Sequence, residues 1–493
     1  MLLLFIVIPL AMAALMPLVS RLWKGLPDIL GVATMAAMLA LSLSQIRLIS
    51  AGHRILWDAA AIGLPLKAGL MLDGFSLLLL ITISLISLFA CIYSINYMEH
   101  YGAKGSYYAL FLLMVAGMNG LVLTVDLFNM YVFLEVAAVA SYALVAFGQK
   151  HDEVEAAFKY LMLSVVATTG ILLAMSFIYL MTGTMNFKEL ASMVGTGMNV
   201  KLIGLCLALF LMGFGLKAAM VPFHAWLPDA HPSAPAPISA MLSGVLIKVS
   251  GIYALTRVVY DIFGLPASVS QAMIWLGVAS MVIGAVIALG QNDFKRMLAY
   301  SSISQIGYIV VGLGLGTPLG IMGALFHLFN HATFKSLLFL DAGATEYATG
   351  TRDLSKLGGV GHKLPITSLT TTIGTFSIAG IPPFNGFWSK LLIIVALVEA
   401  NHVGVAAIAI GTSILTLWYF LLMQRKAFFG KLAVGLEKVK EVPFYMALAT
   451  FCLATLCLLV GLFYPWVTAK LIQPGMTALS NAIGANGFSM FGQ

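Results

Sequence analysis

PLGIMGALFHLFNHATFKSLLFLDAGA, residues 318–344, is long enough and apolar enough to cross a bilayer, for which about 20 residues suffice, yet it carries His327, His331 and Lys335. These three recur every four residues, so on a helix they line one face. An ionisable group at mid-bilayer depth costs about 3 kcal/mol or more, so a chain keeps one mainly where it performs a task. Working outward, Lys217, Lys248, Lys390 and Glu135 lie in similarly apolar surroundings. Together these groups decide the fold class and say where to look for function.

The whole chain has the character of this stretch. Its 493 residues are 61% hydrophobic and 9% charged, with a mean hydropathy of +1.01; an ordinary soluble domain is about 25% charged. The sequence therefore predicts an all-α polytopic membrane protein. Net charge is +7 and the isoelectric point near 9.1, but the basic residues are scattered among loops without aromatic interleaving, so nucleic acid is not expected as a partner. Cys91, Cys206, Cys452 and Cys457 all fall in apolar spans without a CxxC pair, which excludes an iron–sulfur cluster and suits small core residues. No basic residue precedes the first apolar run, whereas Arg21 and Lys24 follow it. That order suits a first helix inserted with its N-terminal end out, rather than a cleaved signal.

Spans are expected near 2–20, 29–46, 70–98, 106–125, 127–148, 157–182, 201–221, 236–259, 267–290, 297–314, 318–344, 366–398, 403–423 and 442–468, about fourteen in all. An even number places both termini on one side. With the termini outside, the inner loops hold fourteen lysines and arginines, five of them within 424–441. The outer loops hold seven: Arg47, Arg54, Lys67, Lys188, Lys201, Arg257 and Lys470. Basic residues favour the cytoplasmic side, so both termini are expected on the outer face of a cell inner membrane.

Two spans are misshapen. Gly380-Ile381-Pro382-Pro383 interrupts 366–398, and Pro222 follows Lys217 closely in the seventh span. Paired prolines break a helix, and broken helices at membrane depth often mark ion sites. A packing kink is the competing reading. Pro222-Phe223-His224-Ala225-Trp226 is echoed by Pro383-Phe384-Asn385-Gly386-Phe387-Trp388. Five spans separate the two segments, and an odd offset reverses direction, as an inverted repeat requires.

Glu135 would lose its charge if buried alone, and Lys217 is the natural cation to preserve it; a structural ion pair locking two helices is the alternative. Lys248 sits too deep to reach the surface, and a desolvated lysine releases its proton readily. Histidine can pass a proton between its two ring nitrogens, which suits His327 and His331 to a path. Their spacing also fits zinc, but zinc wants three or four ligands and no His-Glu-x-x-His is present, so no metal is expected. Ser301, Ser302, Ser304 and Gln305 are read either as holding water beside these groups or as packing. The Gly312–Gly316 run lacks the strand and the Lys-Ser/Thr of a phosphate loop, and no nucleotide, haem or quinone signature stands out, so no cofactor is expected.

Three segments carry a resemblance: HAWLPDAHP at 224–232 running on to Lys248, HLFNHATFKSLLFL at 327–340, and GIPPFNGFWSK at 380–390. They resemble the antiporter-like membrane subunits of complex I, of membrane-bound [NiFe] hydrogenases of the hydrogenase-4 and formate hydrogenlyase type, and of multisubunit Na+/H+ antiporters. The likeness spans roughly residues 70–430. It implies about fourteen transmembrane helices with two inverted five-helix repeats and broken helices 7 and 12. The corresponding division is 1–105, a first repeat at 106–260, a second at 267–430, and a last helix and tail at 431–493.

By position the resemblance makes Glu135 and Lys217 a pair that modulates proton affinity and Lys248 the central carrier. His327 and His331 become the connecting path and Lys390 the terminal carrier, where some members have glutamate; Lys335 joins the same relay as a tuning or structural charge. The implied function is proton translocation within a redox-driven membrane complex, with antiporter-like paralogues and a redox peripheral arm as partners. The alternative is a Na+/H+ antiporter subunit without a redox partner.

Overall fold

A computed structural model describes residues 1–58, 69–194 and 199–486; Lys67 and the last residues of the 431–493 segment lie outside them. The helices of the first half are α1 (Leu4–Leu22), α2 (Leu26–Leu43), α3 (Gly74–Tyr97), α4 (Lys104–Leu123), α5 (Leu127–Val145), α6 (His151–Thr182) and α7 (Val200–Lys217). Next come α8 (Ala236–Ile262), α9 (Ala267–Leu289), α10 (Phe294–Gly314), α11 (Pro318–Thr349), α12 (Pro365–Ala379) and α13 (Asn385–Glu399). The chain ends with α14 (Val403–Ala427), α15 (Phe444–Leu462) and α16 (Gln473–Asn486).

These stretches are helical because the bilayer leaves a backbone no other way to satisfy its N–H and C=O groups. Their starts are fixed by short acceptors: Asp73, Asp126 and Asp293 each accept backbone N–H bonds in the first turn of α3, α5 and α10. Burial then separates centre from rim. The most apolar window of α8 is 100% buried and that of α10 94%, against 22% for α1. α8, α10 and α11 form the core, while α1, α2, α6 and α14 present leucine, valine and isoleucine outward, as lipid-facing helices do. Thus the ionisable side chains of α8 and α11 are placed at the centre of the bundle.

Several expectations are corrected. Twelve helices among the described residues are, each by itself, long and apolar enough to cross a membrane, beside the fourteen spans expected. α11 is long enough at 32 residues, but its histidines, lysine, asparagine and aspartate lower its hydropathy. The 366–398 segment is broken where the paired prolines predict, into two fifteen-residue pieces, α12 and α13, each too short to cross alone. Residues 70–72 belong to a hairpin in which β1 (Ile55–Asp58) pairs antiparallel with β2 (Gly69–Leu72), and α3 starts only after Asp73. The last span breaks at Phe463 and continues helically through Tyr464–Val467 and Thr468–Ile472 into α16.

Arg257 is also corrected: it is no loop residue but lies buried in α8, only 3% exposed. Nη2 donates to Asp73 Oδ1 at 2.6 Å, Nη1 to Asp261 Oδ2 at 3.0 Å, and Nε to the Tyr253 hydroxyl at 2.8 Å. The guanidinium stands 5.2 and 5.0 Å from the Phe75 and Tyr253 ring centroids. This cluster ties the start of α3 to the end of α8. Arg257→Met would leave the carboxylate of Asp73 buried without its cation, a loss of about 3–5 kcal/mol, read as a marked drop in thermal unfolding temperature in detergent.

Candidate functional site

At the first break, α7 ends on Lys217 and the chain runs without helix to Trp226 before the short helix Leu227–Ser233. The freed backbone is satisfied inside the protein: Trp226 Nε1 donates to Leu216 O at 2.9 Å, and Val221 N to Ser280 Oγ at 3.0 Å. Lys217 Nζ lies 3.6 Å from Glu135 Oε1 and donates to Ser164 Oγ, which also receives the Tyr142 hydroxyl. Lys217 is buried, but the Glu135 side chain is 29% exposed. The expectation of a deeply buried carboxylate is corrected, because α5 lies at the rim with Phe128, Val132 and Val139 exposed.

Lys248 occupies the middle of α8, fully buried. There the helix widens into π-helical turns at Leu242–Leu246 and Lys248–Tyr253, a distortion often found at functional positions. Lys248 Nζ donates to Ser243 O, and Ser243 Oγ pairs with Ser302 Oγ of α10 at 2.8 Å. No carboxylate forms an ion pair with Lys248 among the described residues. Gly251, one turn on, meets the first break so closely that a Cβ there would collide with the Ala218 backbone.

On α11, His327 and His331 stack with rings 6.3 Å apart and 4° from parallel. His327 Nε2 meets Gln305 Oε1 at 3.1 Å and Nδ1 meets Ser389 Oγ at 2.9 Å. Ser389 can instead donate to Gly386 O at 3.2 Å, so its single proton has two acceptors. Both ring nitrogens of the wholly buried His331 lack a partner. Lys335 donates to Ser301 Oγ and stands 5.8 Å from the Phe339 ring centroid. Lys248, Lys335, His327 and Lys390 all lie within electrostatic reach of His331.

At the second break, Gly380 takes the left-handed conformation (φ 82°) that closes α12, one readily open to glycine. Lys390, from α13, reaches back to the end of α12, donating to Ile378 O at 2.8 Å, Ala379 O at 3.4 Å and Ser413 Oγ at 3.0 Å. A lysine on the last carbonyls of a helix is held by their partial negative charge. Its ammonium also stands 4.9 Å from the Tyr308 ring centroid.

The structure thus gathers Lys248, His327, His331, Lys335 and Lys390 along the core. It sets the Glu135–Lys217 pair at the neighbouring break, where no hydrogen bond joins Lys217 to Lys248 among the described residues. Each ammonium rests on neutral oxygens, and only Lys217 has a carboxylate. Among the described residues, the row therefore has no strong ion pair in its centre. Of the α10 polar groups, Ser301 and Gln305 hold Lys335 and His327, whereas Ser304 bonds to Met281 O at 2.9 Å in a packing contact.

Sequence reasoning missed Ser164, Ser243 and Ser389, since serine is common in membrane helices. It also passed over His231, wholly buried with both ring nitrogens unpartnered and within electrostatic reach of Lys335 and Lys248. Its place in the LPDAH run, residues 227–231, was the available signal.

Residues 124–416 match the family described as NADH:quinone oxidoreductase/Mrp antiporter, TM, and residues 57–108 match the complex I chain 5 N-terminus family. NADH-quinone oxidoreductase subunit N of Desulforudis audaxviator is 34% identical over 95% of this chain and 97% of its own length. A chain of the Mrp complex from Dietzia sp. DQ12-45-1b superposes with a TM-score of 0.90 at 29% identity over 98% of both chains. A chain of the membrane-bound sulfane sulfur reductase, an archaeal respiratory membrane complex, does so at 0.87 and 29% over 99% of both. With its fold, its row of buried ionisable groups and these matches together, the chain belongs to the NADH:quinone oxidoreductase/Mrp antiporter family of multi-span membrane proteins.

Proposed function

We propose that this chain is the proton-translocating, antiporter-like subunit of a redox-driven complex in a cell inner membrane, beside antiporter-like paralogues and a redox arm. The observation that carries the reading is the core row of basic groups held by hydroxyls and carbonyls rather than by counter-ions. Protons enter at Lys217, pass to Lys248, cross by His327 and His331, and leave from Lys390, with Lys335 tuning the row. Moving a charge against 100 mV costs about 2.3 kcal/mol. A 3.6 Å ion pair at an effective dielectric of about 20 is worth about 4–5 kcal/mol, so opening and closing Glu135–Lys217 is large enough to drive a step. The relatedness to an Mrp complex chain supports the second reading, a Na+/H+ antiporter subunit working without redox chemistry.

We assign the repeats to 106–260 and 267–430, between an N-terminal segment 1–105 and a closing segment 431–493. A nearly constant offset supports this: α5 to α10 is 294 − 127, α6 to α11 is 318 − 151, and α8 to α14 is 403 − 236, each 167, while α4 to α9 is 267 − 104, or 163, and α7 to α12 is 365 − 200, or 165. The same offset of 167 relates the backbone bridge Asp126–Asn186 to Asp293–Asp353. Five helices separate partners, so the copies run in opposite directions, and with α11 and the paired α12–α13 counted as spans the total returns to fourteen. Asn119 Nδ2 donates to Phe5 O at 2.8 Å, at the same end of the bundle as the α10–α11 turn, where Gly316 lies against Ile483 of α16. The basic-residue balance puts that end outside.

Lys248→Ala in the assembled complex, with pumping and electron transfer measured separately, is expected to abolish pumping while the complex stays intact; unchanged pumping removes Lys248 from the relay. Glu135→Gln is expected to weaken coupling yet assemble normally. A failure to assemble would make the pair a structural lock. A chain active by itself in vesicles, read with a pH-sensitive dye, would favour standalone exchange.

A further inference from the structure

Asp341, on α11, takes no part in the relay just described. It is wholly buried; Oδ1 accepts the Thr370 hydroxyl at 2.9 Å, the Thr371 hydroxyl is also turned to the carboxyl, and Oδ2 has no close hydrogen-bond partner among the described residues. The elements packed around it offer no cation. Tyr93 of α3, Cys457 of α15 and Glu441 before α15 are the titratable groups within its electrostatic reach, and α12 presents only hydroxyls. Glu346, farther along α11, is held by Lys295 at 3.3 Å and Arg352 at 3.9 Å. An isolated carboxylate in such surroundings takes up a proton rather than stand charged.

Asp341 also sits on a polar column. The buried face of α12 carries Thr367, Thr370, Thr371, Thr375 and Ser377. At the inner end, Glu441 accepts Ile366 N and the Thr367 hydroxyl, both at 2.7 Å. One turn deeper Thr370 meets Asp341. Beyond it, Thr333 Oγ1 lies 3.8 Å from Cys457 Sγ and accepts Asn385 Nδ2 at 3.0 Å. The column ends at Ile378 O and Ala379 O, where Lys390 is bonded.

We propose that this column is a second proton inlet, leading from Glu441 along the hydroxyl face of α12 to Lys390, with the carboxyl of Asp341 as its carrier. The inlet rests on the reading of Lys390 as a carrier. The Asp341 acid gives its proton, by way of the hydroxyls, to the neutral Lys390 amine, leaving a carboxylate and an ammonium. A proton from inner water then restores the acid, and no electrons move.

The test is Asp341→Asn in the assembled complex, since asparagine keeps an acceptor for Thr370 and the neutral charge of the loaded acid. A packing role would be preserved by it. The expected result is fewer protons moved per electron at unchanged electron transfer, recovery with Asp341→Glu, and loss of a protonated-carboxyl band from infrared difference spectra. Parental pumping in Asp341→Asn, or infrared spectra identical to the parent's, overturns the inlet. The infrared result bears on Asp341 whatever ion the complex pumps, whereas failure of the proposed function would appear in the parent itself as absent proton movement. Should Asp341→Asn not assemble, Asp341→Glu decides: a shifted carboxyl band supports the carrier and an unshifted one overturns it.

Discussion

A backbone interrupted at membrane depth must find partners within the protein, and in this chain lysine supplies or shares them. Lys390 covers the last carbonyls of α12, Lys248 bonds a carbonyl where α8 widens, and Lys217 is itself the last residue of α7. The ammonium groups of Lys390 and Lys248 therefore sit where freed carbonyls point negative charge toward them, whereas Lys217 turns to Ser164 and Glu135. The breaks and the lysines require one another. Straightening α12 or α8 would strip its lysine of support, and removing Lys390 or Lys248 would leave carbonyls bare.

That pairing bears on transport. A carboxylate would hold a buried ammonium by several kcal/mol and make release slow, while carbonyl and hydroxyl oxygens hold it less tightly. With Lys248, Lys335 and Lys390 all on neutral acceptors, neighbouring positive charges repel through the low-dielectric core. A proton arriving at one station thus unsettles the next. The stacked histidines stand between, one fully hydrogen-bonded and the other with both ring nitrogens open.

The fold class was legible because hydropathy and length dictate membrane crossing almost alone, and the two breaks because glycine and proline announce them. The His327–His331–Lys335 face followed from a four-residue spacing. What escaped has physical reasons as well. The burial of Arg257 depends on Asp73, 184 positions away, which no local pattern reveals. The hairpin before α3 was hidden by apolar residues that suit strand and helix alike. The π-helical turns of α8 include one whose Gly251 lies against the first break, and the sequence there is otherwise that of an ordinary span. The serines that hold the lysines are ubiquitous in membrane helices, so their contacts emerge only in three dimensions.

The two breaks also differ in a way that sequence symmetry conceals. At the first, the lysine answers to a carboxylate on a rim helix, so its charge is sensitive to whatever covers that face of the bundle. At the second, it answers to fixed carbonyls and a serine, which do not titrate. In the proposed relay, charge at Lys217 would thus respond to what covers Glu135, whereas charge at Lys390 would respond to what reaches it along the core. A row with one externally adjustable end and one fixed end has a direction built into it, even where the backbone on either side nearly repeats.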